Sequence, residues 1–158
     1  MNTSGQSAAF NLSHSGRWGL LAVTTGRRVG VDIQEMDPRT ECEKLAERFF
    51  SRRESAALMA LPWNERRTAF FRGWTRKEAF LKAMGRGISM GLDTFDVSLG
   101  PEDPPAVLAT RFEPDEGGSW MLNDLNVAEG YAAALAADGP PYEVRRWRMT
   151  LNESLTPF

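Results

Sequence analysis

Apolar and polar positions alternate in the first third of the chain, take a helical spacing in the middle, and alternate again towards the end. RRVGVDIQ, residues 27–34, puts Val29, Val31 and Ile33 on one face and Gly30, Asp32 and Gln34 on the other, the period of two that a strand requires. Before it, AFNLSHSG and RWGLLAVTT read as short strands, with turns at Ser15-Gly16 and Gly26-Arg27. Asp37-Pro38 breaks this pattern and leads to TECEKLAERFF, which reads as a helix. Ser51, with Glu54 three residues later, has the capping-box pattern that opens a second helix, and Pro62 ends it. A long helix is predicted from about Asn64 to Met84, closed by Gly85 and Gly87. Strands return in TFDVSL, SWMLNDLNV, YAAALAA and YEVRRWRM, while GPEDPP at 100–105 and PDEGG at 114–118 read as loops. Strands, then helices, then strands predict an α+β fold in which an antiparallel sheet packs against a long helix and shorter helices. The length of 158 residues is enough for one core, so residues 1–158 are read as a single domain.

Charge changes this picture more than composition does. Apolar residues make up 42% and charged residues 25%, an ordinary globular balance. The net charge of −2 conceals a basic middle: residues 44–86 hold 11 Lys or Arg against 4 Asp or Glu, and residues 87–158 hold 4 against 12. Of the 19 basic residues 16 are arginine, which favours bidentate contacts to carboxylate or phosphate. Two readings stand: a solvated helix surface, or an electropositive face for an acidic partner or polyphosphate. Nucleic acid fits poorly, because the chain is acidic overall and lacks interleaved aromatic and basic residues. MNTSGQSAAF has no secretory pattern, and the apolar run YAAALAA is far too short to span a membrane. Cys42 is the single cysteine and excludes an internal disulfide. A soluble, cytoplasmic protein is expected.

Two carboxylates are misplaced for ordinary packing. At about 100° per residue, Phe70, Phe71, Trp74 and Leu81 share one face of the long helix, and Glu78 projects from the middle of it. Asp32 sits on the polar face of an otherwise apolar strand. Buried carboxylates need a proton, a basic partner or a metal. If helix and sheet pack together, the pair could hold Mg²⁺, with Lys77 and Lys82 reaching phosphates beside it. The alternatives are simpler: Glu78 pairs with Lys82 one helical turn on, and Asp32 caps the turn that follows its strand. His14, the only histidine, is either a structural hydrogen-bonding group or, with Ser13 and Ser15, part of a phosphate cradle. Met84, Met90 and the aromatics of the long helix read as core.

Taken together, FNLSHSGRWGLLAV, RRVGVDIQ, FFSRRE and WTRKEAFLKAMGRGI, in this order and spacing, resemble the 4′-phosphopantetheinyl transferases of the surfactin-synthetase-activating type. The resemblance is close over about residues 8 to 99 and compatible beyond. It implies transfer of phosphopantetheine from coenzyme A to a serine of an acyl or peptidyl carrier protein, with release of adenosine 3′,5′-bisphosphate. It further implies that Asp32 and Glu78 hold Mg²⁺, that Glu78 or a metal-bound water beside it takes the serine proton, and that Lys77 and Lys82 hold phosphate charge. Lys82 thereby joins Glu78 in the catalytic set, Ser13 and His14 contact the 3′-phosphate region, and the arginines of residues 48–76 suit an acidic carrier helix. An unrelated Mg²⁺-dependent phosphohydrolase would account for the two acids but for neither the SHS nor the W-x-x-K-E-A segment.

The chain departs from the family pattern twice. Where the family strand has a second acid facing the metal, this one has Gln34, which offers a neutral oxygen; Glu35 points to the opposite face. Such transferases also consist of two similar halves, and this sequence resembles the C-terminal one. The related holo-acyl-carrier-protein synthases are single-half proteins that form trimers. A homo-oligomer, dimer or trimer, is therefore expected. The alternative is a non-catalytic relative that binds coenzyme A or carrier protein without turnover.

Overall fold

The computed structural model describes residues 7–85, 90–112 and 119–149. Three strands open the chain: β1 (Ala8–Ser15), β2 (Trp18–Thr25) and β3 (Val29–Glu35). Helices α1 (Cys42–Phe49), α2 (Arg52–Ala60) and α3 (Trp63–Met84) follow. A 3-10 turn at Leu92–Thr94 then leads to β4 (Phe95–Val97), β5 (Val107–Thr110), β6 (Trp120–Asp124) and β7 (Tyr131–Asp138). The helix ends obey the sequence. Ser51 and Glu54 form the reciprocal capping box, and Gly85 closes α3 with a left-handed φ of 68°, a conformation that glycine adopts without strain.

The expected antiparallel sheet is divided among three small ones: β1–β2, β3–β7–β6 and β4–β5. Two details differ from the sequence reading. YEVRRWRM is not a strand, because residues 141–149 run without regular structure; Tyr142 and Val144 nevertheless pack beside Val29 and Val31. Strand β5 went unpredicted, since four residues beside a proline-rich loop carry little periodicity. The predicted PDEGG loop and Gly87 lie outside the described residues.

Strand β3 is enclosed on both sides. Its Val29 and Val31, with Leu135 and Ala137 of β7, pack against Ala9, Leu20 and Ala22 of the β1–β2 hairpin. The other face, Gly30 and Asp32 beside Ala136 and Ala134, lies under α3. Small residues allow this approach. A Cβ on Gly30 would sit 2.0 Å from the Ala79 carbonyl oxygen and 2.4 Å from the Ala83 nitrogen. The alanine run of β7 and the glycine of β3 are thus the floor on which α3 lies.

Helix α3 is buried almost all round from Ala69 onward, not along one stripe. The rings of Phe70, Phe50 and Trp74 pack towards α1, and on another side Phe80 meets Phe95 at a tilt and Trp120 edge-on. Full burial of each such ring contributes about 1.5–3 kcal/mol. Among the described residues no helix is long and apolar enough to cross a membrane. The outer face of the hairpin carries Phe10 opposite Val23 and Leu12 opposite Leu21, all at least 60% exposed.

Candidate active site

The site forms where α3 crosses β3. Asp32 points from the sheet towards the helix and is 2% exposed. Lys82, one turn beyond Glu78, donates to Asp32 Oδ1 at 2.7 Å and to the Val31 carbonyl at 3.1 Å. Ser13 Oγ donates to the same Oδ1 at 2.9 Å. Gln34 Nε2 donates to Oδ2 at 3.3 Å. An acid in an otherwise apolar strand is tolerable here because an ammonium, a hydroxyl and an amide converge on it.

Glu78 is different. It is 9% exposed, yet among the described residues it has no hydrogen-bond or ion-pair partner. Burial pushes its carboxyl above the usual range, the negative charge of Asp32 adds to the shift, and Lys82 offsets part of it. The i,i+4 pair of Glu78 with Lys82 is therefore not what the structure forms, since Lys82 turns to Asp32. Two carboxylates thus lie close enough to repel, with Lys82 the ammonium between them among the described residues. Among the described residues no three or more His, Cys, Asp or Glu side chains gather as a metal cluster. The acidic donors here are two, with the Gln34 amide next to them.

Lys77 needs correction. The sequence reading places it beside phosphate, but its side chain is 0% exposed and turns away into the interior. Its Nζ meets Glu54 Oε2 at 2.8 Å and donates to the carbonyls of Leu92 at 2.6 Å and Phe95 at 2.5 Å. It also lies 4.2 Å from the Phe95 ring centroid. Burial lowers its pKa, and the Glu54 carboxylate opposes that shift. Glu54 in turn accepts from the Val97 and Ser51 amides. Lys77 thus fastens α3 to α2 and to the approach to β4. Helix-face arithmetic places it beside Glu78, but with α3 buried all round, the flank of one face is the centre of another.

The SHS segment divides. Ser13 faces inward and is 7% exposed; His14 faces outward on β1 opposite Gly19. The two therefore do not form one cradle. The basic middle also divides. Arg76, 1% exposed, makes a two-pronged pair with Asp124 at 2.8 and 2.6 Å and binds the Ser98 carbonyl. Arg67 binds the Asp37 carbonyl at 2.6 Å, and Arg66 that of Met59 at 2.7 Å. Arg48, Arg52 and Arg53 stay exposed on α1 and α2.

With this geometry, comparison with known proteins identifies the family. The sequence model of the 4′-phosphopantetheinyl transferase superfamily matches residues 28–136, and the chain belongs to that superfamily. It is 38% identical over 138 residues to the 4′-phosphopantetheinyl transferase HetI of Nostoc sp., covering 87% of this chain and 55% of HetI. It is 33% identical over 135 residues to the 4′-phosphopantetheinyl transferase Sfp of Bacillus subtilis, covering 85% of this chain and 57% of Sfp. The chain thus spans about half the length of the curated relatives it matches. Among solved structures, holo-[acyl-carrier-protein] synthase of Thermotoga maritima superposes with a TM-score of 0.53 at 24% identity, over 70% of this chain and 61% of that one. Holo-ACP-synthase of Plasmodium yoelii gives 0.50 at 19% identity, over 72% of this chain and 97% of that one. These two likenesses show the fold alone: a long helix laid across a small antiparallel sheet.

Proposed function

We propose that the protein transfers the 4′-phosphopantetheine group of coenzyme A to a serine of an acyl or peptidyl carrier protein, in the cytoplasm. The observation that carries this reading is the buried Glu78 carboxylate beside Asp32, without a hydrogen-bond or ion-pair partner among the described residues, within the segment that matches the superfamily. In this reaction the serine oxygen forms a bond to the phosphorus of phosphopantetheine. The P–O bond to the adenosine portion breaks, adenosine 3′,5′-bisphosphate leaves, and the serine proton goes to a base. Glu78, or a water beside it, is the candidate for that base.

Asp32 and Glu78 fit Mg²⁺, which takes one or two protein carboxylates and fills its remaining positions with water and phosphate oxygens. The Gln34 amide is the third candidate ligand. When bound, the ion would neutralise pyrophosphate charge and steady the leaving group. Lys82, its side chain 29% exposed at the edge of the site, holds phosphate charge, and His14 offers an exposed contact to the 3′-phosphate region. Arg48, Arg52 and Arg53 present the basic surface for an acidic carrier helix. Incubation with coenzyme A, Mg²⁺ and an apo carrier protein should release adenosine 3′,5′-bisphosphate; coenzyme A that binds without this release would favour a non-catalytic relative.

A homo-oligomer, dimer or trimer, forms part of the same reading. The uncharged outer ladder of Phe10, Leu12, Leu21 and Val23 supports it, since apolar surface of this kind marks contact sites. Sedimentation should give a species larger than the 17.6 kDa chain; a stable monomer at micromolar concentration contradicts it.

A further inference from the structure

Strand β1 meets β3 through side chains, not through a backbone ladder. Asn11 Oδ1 accepts from the Val31 amide at 2.9 Å, Ser13 Oγ from the Ile33 amide at 3.3 Å, and Ser15 Oγ from the Glu35 amide at 2.9 Å. Three polar residues at period two thus satisfy three successive amides, those of Val31, Ile33 and Glu35, on the edge of β3 that faces away from β7. The middle one does more: Ser13 Oγ also donates its proton to Asp32 Oδ1 at 2.9 Å. A serine hydroxyl has one proton to give. Given to Asp32, it is not available to a phosphate oxygen, and the 7% exposure of Ser13 removes it further from solvent.

We infer that Ser13 is a positioning residue, a hydroxyl clamp that takes the Ile33 amide with one lone pair and fixes the Asp32 carboxylate with its proton. This rests on the reading of Asp32 as a metal-holding carboxylate, and it removes the Ser13 side chain from the coenzyme A contacts. Asn11 and Ser15 are the flanking teeth that hold β1 in register without touching Asp32. Such outer hydrogen bonds orient ligating carboxylates, and their loss typically weakens metal affinity about 10–100-fold. The adjacent His14 faces the other way, so a ligand gripped there is linked to Asp32 through one peptide unit of β1.

The test uses the full chain with Ser13→Ala, Ser13→Thr and Ser15→Ala. Without metal, three-bond couplings of Asp32 measured by NMR should show one side-chain rotamer in the parent and averaging in Ser13→Ala, with Ser13→Thr restoring a single rotamer. Calorimetry with Mn²⁺ alone should then show about a tenfold or greater loss of affinity in Ser13→Ala and less than about twofold in Ser15→Ala, whose hydroxyl does not reach the carboxylate. The ratio of binding between coenzyme A and its 3′-dephospho form should be the same in the parent and Ser13→Ala. Unchanged Asp32 couplings overturn the proposal, as does a changed ratio, which would make Ser13 a phosphate contact. Equal Mn²⁺ losses in Ser13→Ala and Ser15→Ala overturn it too. A parent chain that binds no Mn²⁺, with Asp32 couplings that still respond to Ser13→Ala, removes the metal reading and keeps the clamp.

Discussion

Replacing Lys77 by methionine should unfold the protein much more easily without touching the phosphate site. The ammonium is fully enclosed and has three oxygen partners: Glu54, and the carbonyls of Leu92 and Phe95. Methionine fills nearly the same volume, so the cavity is small and the loss is electrostatic. Glu54, its side chain 2% exposed, keeps the Ser51 and Val97 amides but loses its counter-ion, and two carbonyls lose a donor. Breaking a buried pair by removing one partner costs about 3–5 kcal/mol, a large share of a total stability of roughly 5–15 kcal/mol. Urea denaturation followed by circular dichroism reads this directly. Adding Glu54→Gln should recover part of the loss, giving a coupling of about 1.5 kcal/mol or more in the double-mutant cycle. Lys44→Met, at the exposed pair with Glu41, is the control and should change little. A Lys77→Met loss below about 1 kcal/mol, no larger than that of the control, would refute the enclosed geometry and return Lys77 to the phosphate site.

Two further outcomes concern the carboxylates. The folded-state pKa of Glu78 lies above its unfolded value, so across that window the folded chain keeps a proton that the unfolded chain releases. Without divalent cation, stability therefore falls as pH rises through the window and levels off above it. Glu78→Gln should flatten that fall in a melting-temperature profile from pH 4 to 8 and should abolish stabilisation by Mg²⁺; a slope as steep as the parent's refutes the assignment. Gln34→Glu should strengthen Mg²⁺ binding in calorimetry, because a second charge joins Asp32 on the same face of β3. No gain would count against Gln34 as a neighbour of the metal.

The sequence reading and the structure agree where local chemistry decides. The capping box of Ser51 and Glu54, the glycine stop at Gly85 and the alternation of β3 needed no tertiary information. Glu78 was legible as a carboxylate among Phe70, Phe71, Trp74 and Leu81, since one face of a helix can be read from spacing alone. Lys77 was not. A helix wheel assumes one buried face, and nothing local announced that α2 and β4 would cover the other side of α3. Spacing marks Glu54 only as a capping residue, because its other partner, Lys77, stands 23 positions away. Ser13 and His14 looked like one cradle because they are adjacent, yet on a strand adjacent residues face opposite sides. The period-two polar pattern of Asn11, Ser13 and Ser15 was present, but it gains meaning only when the free edge of β3 is known. YEVRRWRM alternates like a strand and has no ladder, because edge pairing depends on where the rest of the chain puts a partner.

The account stands most directly on the mass of an apo carrier protein incubated with this protein, coenzyme A and Mg²⁺. It predicts that the carrier gains the mass of one phosphopantetheine group with the parent chain and none with Glu78→Gln or when Mg²⁺ is chelated. An unmodified carrier with the folded parent, or modification that persists in Glu78→Gln, would contradict it.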